Sequence, residues 1–373
     1  MIRSALALTA LTVSTGVAQA GGIDRSGTPI DIIFEEGNYA TLSYGYADPS
    51  LTGVDRQGAN VRNIAAGFGL VGVALKLDIA ENVSLAFILD EPYGVDVEYG
   101  PESAVLGGTL ADAESYGITT LVRYQATDRI SVYGGPRFVR AKGQINLGGS
   151  AYFLDGYESN FASDTGTGYV IGAAYEIPDI AFRAALTYHS EIDLSFDTTE
   201  TFPARAALIL FPLPTGVPVP TGTTNTTLPQ SIKLAVQSGI ATDTLVFGSV
   251  RWVDHDVFMV IPPVFHENLA SLDSSITYEL GIGRRFSERF SARASVIYED
   301  VLADDLVSPL TPTSGFTALS IGGQYQLTEA LDISGGIRYT WLKDATAEVS
   351  DSVVGEFRNN DVVSFGLKLG VRF

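Results

Sequence analysis

The chain has 373 residues, of which 46% are hydrophobic and 18% charged, and its 23 Lys+Arg against 43 Asp+Glu give a formal net charge of −20 at pH 7. This acidic balance disfavours binding to nucleic acid and other polyanions, while the hydrophobic content excludes an acidic disordered protein. The chain has no cysteine, which excludes disulfide frameworks, thiol catalysis and cysteine-bound metals.

The first twenty residues have the pattern of a secretory signal peptide. Arg3 supplies a positive charge, residues 5–17 form an apolar segment, and Ala-Gln-Ala at 18–20 matches a small-residue cleavage site. The segment is too short and wrongly flanked for a membrane helix, although a cytoplasmic-membrane anchor is the alternative interpretation. We therefore predict an exported protein whose mature chain begins near Gly21, with a net charge of −21 because Arg3 is lost.

The predicted mature chain combines a high apolar content with the absence of any long apolar run. Its mean hydropathy is positive, yet no stretch approaches the roughly 18 apolar residues of a membrane helix. Apolar and polar residues alternate instead, as they do in strands with two different faces. The last strand shows this most clearly, since one of its faces carries Phe365, Leu367, Leu369, Val371 and Phe373. Such alternation is typical of transmembrane β-barrels.

Alternating segments recur along the whole chain and predict fourteen strands. In order they are residues 38–47, 63–78, 82–99, 114–127, 129–142, 166–178, 180–197, 230–241, 243–258, 274–286, 289–300, 316–327, 330–343 and 361–373. Short polar turns near 126–128, 178–179, 241–243, 287–288 and 328–329 alternate with longer connections near 101–112, 143–165, 200–229, 259–273, 301–315 and 343–360. We therefore predict an all-β, closed antiparallel transmembrane barrel over 38–373, preceded by a short segment at 21–37.

The third predicted strand contains a break in its pattern at Pro92. Proline has no N–H to donate to a sheet and is confined to edges and bulges, and Gly94, two residues later, accommodates unusual backbone angles. Because a closed barrel has no edge strand, Pro92, Tyr93 and Gly94 predict a kink or a gap in the wall. An ordinary bulge is the alternative.

The predicted loop at 202–220 is apolar and proline-rich, where an exposed loop is usually polar. An exposed apolar patch usually marks a binding surface, and packing of the loop onto its neighbours is the alternative. Arg205 is a candidate partner for a carboxylate headgroup. The candidate apolar contacts to a substrate, from this loop and the preceding one, are Phe153, Phe161, Phe202, Leu208, Leu210, Phe211 and Leu213.

Several segments together resemble the FadL/TodX-type outer-membrane transporters of long-chain fatty acids and other hydrophobic compounds. The opening at 33–39 is similar to that of short members of this family. The other segments that carry the resemblance are residues 82–99, residues 182–196, residues 228–233 with 250–258, and the last strand, which ends at Phe373.

The resemblance implies a fourteen-stranded barrel with an N-terminal hatch, abbreviated here to residues 21–37. It implies a lateral opening at the kinked third strand, where Pro92, Tyr93 and Gly94 lie, and an assembly signal at Phe373 that is read by the barrel assembly machinery. The implied function is passive uptake of long-chain fatty acids or other hydrophobic small molecules by a monomer in contact with outer-membrane lipid. No extended segment that could be pulled by an energy-coupling partner is evident after Gly21.

Other kinds of chemistry have weaker sequence support. Residues 67–72 match G-x-G-x-x-G but lie in a predicted strand rather than at a strand-to-helix turn. An outer-membrane lipid hydrolase is a further alternative, but His189 and Ser190 point to opposite faces of a strand. Residues 254–256 (Asp-His-Asp) predict a solvated turn rather than a cation site. We predict no enzyme, no cofactor and no metal, with a general diffusion porin for small polar solutes as the main alternative function and a structural or adhesive barrel as another.

Overall fold

The computed structural model describes residues 23–209, 214–270, 272–303 and 306–373, which form mostly β-strands. Short 3-10 helices span Asp31–Phe34, Pro178–Ile180, Ala204–Leu208 and His255–Val257. Among the described residues, no helix has the length and apolar character needed to cross a membrane. The strands are β1 (Tyr39–Ser50), β2 (Gly53–Asp55), β3 (Asn60–Val61), β4 (Phe68–Ala80), β5 (Val83–Asp90), β6 (Gly94–Glu98), β7 (Leu110–Gln125), β8 (Ile130–Leu147), β9 (Tyr157–Ile177), β10 (Phe182–His189), β11 (Ile192–Thr201), β12 (Pro218–Leu228), β13 (Ser231–Ala241), β14 (Thr244–Val253), β15 (Ser275–Arg285), β16 (Phe290–Val301), β17 (Leu306–Val307), β18 (Gly315–Gln326), β19 (Leu331–Leu342), β20 (Ala345–Val349), β21 (Ser352–Phe357) and β22 (Asp361–Arg372).

The strands close into one antiparallel barrel of fourteen wall strands, as predicted. Each wall strand is called a stave here, and β5 with its continuation β6 counts as the third stave. Around the wall the order is β1, β4, β5 continued by β6, β7, β8, β9, β10, β13, β14, β15, β16, β18, β19 and β22. The last strand pairs with the first, from Tyr39 opposite Arg372 to Ser50 opposite Asp361. Closure pairs the backbone groups that an edge strand would leave open, which is what a strand-built wall requires in lipid.

The two faces of the wall carry different side chains. On β7, Tyr116, Ile118 and Val122 are 44–54% exposed, whereas Thr119 between them is fully buried. The same alternation runs around the barrel, with large apolar side chains on the outer face and small or polar ones inside. The period of two in strand geometry therefore produces the two faces that the sequence pattern predicts.

Aromatic side chains lie at both ends of the apolar outer band. Phe286 and Phe290 stack with ring centroids 5.9 Å apart at the end with the short turns. Tyr339 and Trp341 lie 4.8 Å apart at the end with the long loops. Aromatic rings at both rims are the arrangement by which barrels contact the two interfaces of a membrane.

The predicted strand at 180–197 is interrupted in the structure, because residues 190–191 separate β10 from β11. The long strand β9 pairs with β10 over the half of its length near the short turns and with β11 near the long loops. From there β10 continues the wall to β13, while β11 forms a hairpin with β12. Part of the loop predicted at 200–229 is therefore a strand that extends beyond the wall.

A second, five-stranded sheet lies at the long-loop end and consists of β17, β20, β21, β2 and β3. Its strands have only two to six residues, and they come from segments that lie between the predicted strands. Val61, Tyr99, Leu106, Val354 and Phe357 form a buried cluster beneath it. This end of the molecule is therefore a folded cap rather than a set of independent loops.

Residues 23–37 lie against the inward-facing side chains of the wall. Ile33 is fully buried, in a cluster that includes Leu121 of β7 and Tyr133 of β8. The ring of Phe34 lies 4.9 Å from the guanidinium of Arg123 and 4.3 Å from that of Arg183, so two cations from different strands face it. The segment is thus in contact with several staves at once.

Candidate functional site

An apolar cavity of about 100 Å³ lies inside the barrel, close to the long-loop end. Its walls include Phe161 and Phe196, whose ring centroids are 6.1 Å apart, together with Val260 from a long connection. Ile23 and Tyr93 also line it, and hardly any polar atom of the described residues faces the space. A cavity of this kind binds an apolar molecule by removing it from water, at about 0.8 kcal/mol for each buried CH₂.

The wall beside this cavity is interrupted between β4 and the third stave. Strand β4 pairs with β5 only as far as Val73 opposite Leu89. Residues 68–72 continue to pair with β1 on their other side. Strand β6 pairs with β7, and beyond the break it meets residues 64–66, where the Glu98 N–H donates to the Ile64 carbonyl at 2.8 Å. The buried residues 92–94, where the sequence predicts a kink, lie at this break.

Residues 23–25 occupy backbone positions next to the break. The Gly94 N–H donates to the Ile23 carbonyl at 2.9 Å, and the Arg25 N–H donates to the Pro92 carbonyl at 2.8 Å. Proline supplies only its carbonyl here, which is all that this pairing needs. The N-terminal segment therefore takes the hydrogen bonds that β4 does not make with the third stave.

The side chain of Arg25 lies within the break. Its Cζ is 4.3 Å from the centre of the Phe68 ring at the start of β4, and a Cβ added to Gly94 would lie 2.5 Å from the same Cζ. Burial lowers the pKa of Arg25, and nearby carboxylates oppose this effect, so the guanidinium stays charged. Those carboxylates belong to Asp96, Glu91, Asp112 and Glu114.

Asp24 anchors the same segment to the opposite wall. Its Oδ2 lies 2.6 Å from Nη1 of Arg251 and 3.8 Å from Nε2 of His255, and all three side chains are buried. Burial alone would raise the pKa of Asp24, but the charge of Arg251 holds it below its usual range. Burial lowers the pKa of His255. At neutral pH the contact is therefore an ion pair between Asp24 and Arg251 beside an uncharged imidazole.

Three further contacts join the N-terminal segment to the wall, each on a different strand. Ser26 donates to Asp90 of β5 at 2.5 Å. Thr28 accepts from Arg137 of β8 at 3.1 Å. The third contact is an ion pair of 3.0 Å between Glu35 and Arg372 of β22. Together with Asp24, these contacts fix the segment at several points around the barrel.

A wider groove of about 650 Å³ opens among the loops above the cavity. Phe153, Ile209 and Phe265 contribute apolar surface to it. Leu310 lines both the groove and the apolar cavity, so it marks the place where the two approach each other. The charged side chains that line the groove, among the described residues, are Glu267, Glu348 and Asp351.

The aromatic residues that the sequence predicts as substrate contacts lie in different parts of the structure. Phe161 is 7% exposed and lines the cavity, whereas Phe153 is 70% exposed and lines the groove. Phe202 is fully buried and packs against Tyr157, with ring centroids 5.5 Å apart. Phe202 therefore belongs to the core beneath the loop.

The other predicted site residues lie at the surface or outside the described part of the chain. Arg205 is exposed, and Leu208 is 89% exposed. Phe373 is exposed at the end of β22, and its N–H donates to the Asn38 carbonyl at 3.2 Å. The predicted contacts outside the described residues are Leu210, Phe211 and Leu213.

No pattern in the sequence predicts the residues that occupy the break or most of those that form the cavity. Asp24 and Arg251 are 227 positions apart, and no sequence spacing links them. The cavity has a weak signal, since Ala111, Ala113 and Ala141 put small side chains at inward positions on adjacent strands. Space inside a barrel requires such small residues.

Comparison with known proteins agrees with this architecture. Residues 52–373 match the family described as outer membrane protein transport protein (OMPP1/FadL/TodX). Outer membrane protein P1 of Haemophilus influenzae is 20% identical over 323 residues, which cover 76% of this chain and 68% of that protein. A FadL homologue from Pseudomonas aeruginosa has a similar structure, with a TM-score of 0.73, 15% identity and 92% of each chain covered. The toluene transporter TodX of Pseudomonas putida has a TM-score of 0.67, 12% identity and coverage of 96% of this chain and 98% of that one.

The family match extends over most of the chain, including every stave except β1. It agrees with the resemblance seen in the sequence, with the outer-membrane location and with the prediction that the protein is not an enzyme. This chain belongs to the outer-membrane transport proteins of the OMPP1/FadL/TodX family.

Proposed function

We propose that this protein is a passive channel that takes up hydrophobic compounds and releases them sideways into the membrane through the break in the third stave. The observation that carries the proposal is the apolar cavity, which is lined by Ile23 and Tyr93, two residues at the break itself. One similar structure is a toluene transporter, which supports a hydrophobic substrate. Long-chain fatty acids are one candidate within this class.

The proposed route begins in the groove, where Phe153 and Ile209 collect the substrate. It passes Leu310 into the cavity and leaves beside Gly94. Residues 23–37 act as the hatch that closes the lumen below the cavity. A sideways exit is physically reasonable because an apolar molecule released into the periplasm would lose the favourable burial of every CH₂, about 0.8 kcal/mol each.

Uptake by cells with and without the channel tests the proposed function directly. Labelled toluene and oleate are compared with a small polar sugar, in a host that lacks other channels of this family. Channel-dependent uptake of a hydrophobic compound, with no sugar flux, is the expected result. Sugar flux without uptake of either hydrophobic compound would identify a diffusion porin instead.

Replacing Arg25 with alanine tests the sideways exit. Its guanidinium fills the space between Phe68 and Gly94, so the variant should widen the break and raise the initial rate of toluene uptake. An Arg62→Ala variant is the matched control, because Arg62 is an arginine exposed on the long-loop side, and its uptake should match the wild type.

Adding Gly94→Leu to Arg25→Ala should reverse the gain, because the leucine side chain enters the space that the guanidinium leaves. The initial rate of toluene uptake in the double variant is compared with that of Arg25→Ala. Gel mobility with and without heating shows that each barrel is folded. If folded Arg25→Ala and the double variant both take up toluene at the wild-type rate, the exit does not lie at this break.

A further inference from the structure

The groove at the start of the proposed route carries charge of one sign. Glu267, Glu348 and Asp351 line it, and among its described lining residues there is no lysine, arginine or histidine. Arg205, the predicted partner for a carboxylate headgroup, lies on the exposed surface of the neighbouring loop and is not part of this lining. Three like charges at the mouth lower the local concentration of anions and raise the barrier to their entry.

Among the described residues, the cavity offers an ionised headgroup no cation that is not already engaged. Lys142 is at its edge, but its Nζ lies 2.9 Å from Oε1 of Glu114. The two arginines nearby are engaged with the protein, since Arg251 is paired with Asp24 and the buried Arg137 donates to Thr28. A carboxylate that entered this apolar space would lose its hydration and gain no ion pair in return.

The break repeats the pattern seen in the groove. Glu91 lies at the break, where its Oε1 accepts from the Val71 N–H at 3.0 Å. Arg25 is a cation within the break, and the carboxylates that act on it belong to Asp96, Glu91, Asp112 and Glu114, of which Glu114 is paired with Lys142. With four carboxylates against Arg25 and Lys142, the formal charge of this group is negative. An anion on the sideways route would meet repulsion at the exit as well as at the mouth.

The size of the cavity limits the substrate further. Its volume of about 100 Å³ is of the same order as the ~150 Å³ apolar cavity that takes up benzene in an engineered protein. The space therefore holds about one ring or a short chain at a time.

From these three places and this volume, we infer that the channel selects compact, uncharged hydrophobic molecules and discriminates against carboxylates, including fatty-acid anions. The inference rests on the proposed function and narrows its substrate class. Charge and size act at different points: the groove and the break repel anions, whereas the cavity favours compact apolar molecules.

Toluene and benzoate form the test pair. Each contains one ring, which carries a methyl group in toluene and a carboxylate in benzoate. Channel-dependent uptake is measured at pH 7.4 and low ionic strength, with oleate as a third probe. Toluene uptake should exceed that of benzoate by about tenfold or more. Benzoate or oleate uptake equal to that of toluene would overturn the inference and leave the proposed function intact. Absence of channel-dependent uptake for all three would instead overturn the proposed function.

Charge removal in the groove separates electrostatic exclusion from other causes. The triple variant Glu267→Gln, Glu348→Gln, Asp351→Asn should raise the ratio of benzoate to toluene uptake by about threefold, and added salt should act in the same direction. Asp179→Asn, an exposed change at the short-turn end, is the matched control and should leave the ratio unchanged. A ratio that responds neither to the triple variant nor to salt contradicts the electrostatic exclusion.

Discussion

Replacing Ala141 with tryptophan should reduce toluene uptake at least tenfold while the barrel still folds. Ala141 pairs with Ser115 across β7 and β8, and both line the apolar cavity. An indole ring at this position would fill most of a space of about 100 Å³ and leave no room for a substrate. Overpacking costs typically ~1–3 kcal/mol, which is small for a wall closed by fourteen staves. Initial uptake rates in cells measure the effect, and heat-modifiable gel mobility measures folding.

Ala294→Trp is the matched control for this change. Ala294 is exposed on the outer face of β16 and lies opposite Ile282 and Ile321 on the neighbouring strands. A tryptophan there extends towards the membrane and should leave uptake unchanged. Wild-type uptake by folded Ala141→Trp would show that the substrate does not pass through the cavity.

Replacing Asp24 with alanine should detach residues 23–25 from the break and increase ion conductance through the barrel. Loss of one partner of a buried ion pair typically costs ~3–5 kcal/mol, and the contact between Asp24 and Arg251 is 2.6 Å long and buried. The two backbone hydrogen bonds to Pro92 and Gly94 contribute about 0.5–1.5 kcal/mol each. Without the ion pair, these two bonds hold the segment less firmly. Single-channel recording in planar bilayers measures the change.

The pH dependence of this anchor has a definite sign. Because the pKa of Asp24 is lowered in the folded protein, its stabilisation is complete above the ordinary carboxyl pKa of about 3.9 and is lost only as the pH falls through the lower folded value. The anchor is therefore fully present at neutral pH.

Glu36→Gln is the control for the conductance experiment on Asp24→Ala, since Glu36 is an exposed carboxylate of the same segment. Equal conductance for Asp24→Ala and the wild type would mean that other contacts hold the segment.

The sequence by itself determined the wall of this protein. Each wall strand has one face in lipid and one in the interior. Alternation with a period of two therefore predicts both that a strand is present and which way its side chains point. Pro92 predicts an irregularity in the third strand for a similar local reason, because proline removes a ladder donor whatever its neighbours are. The last strand, with Phe365 outward and Ser364 inward, follows the same rule.

Only the tertiary structure decided what fills and caps the barrel. The small sheet at the long-loop end joins strands of two to six residues from distant loops, and such short segments carry no readable period. The pairing of Asp24 with Arg251 and the position of Arg25 beside Gly94 depend on how the N-terminal segment lies in space. Likewise, Phe202 is buried and Leu208 exposed within one apolar loop. Alternation in the sequence indicates which face of a strand lies against lipid and which lies in the barrel interior. These contacts depend instead on which distant side chains come together once the barrel has closed.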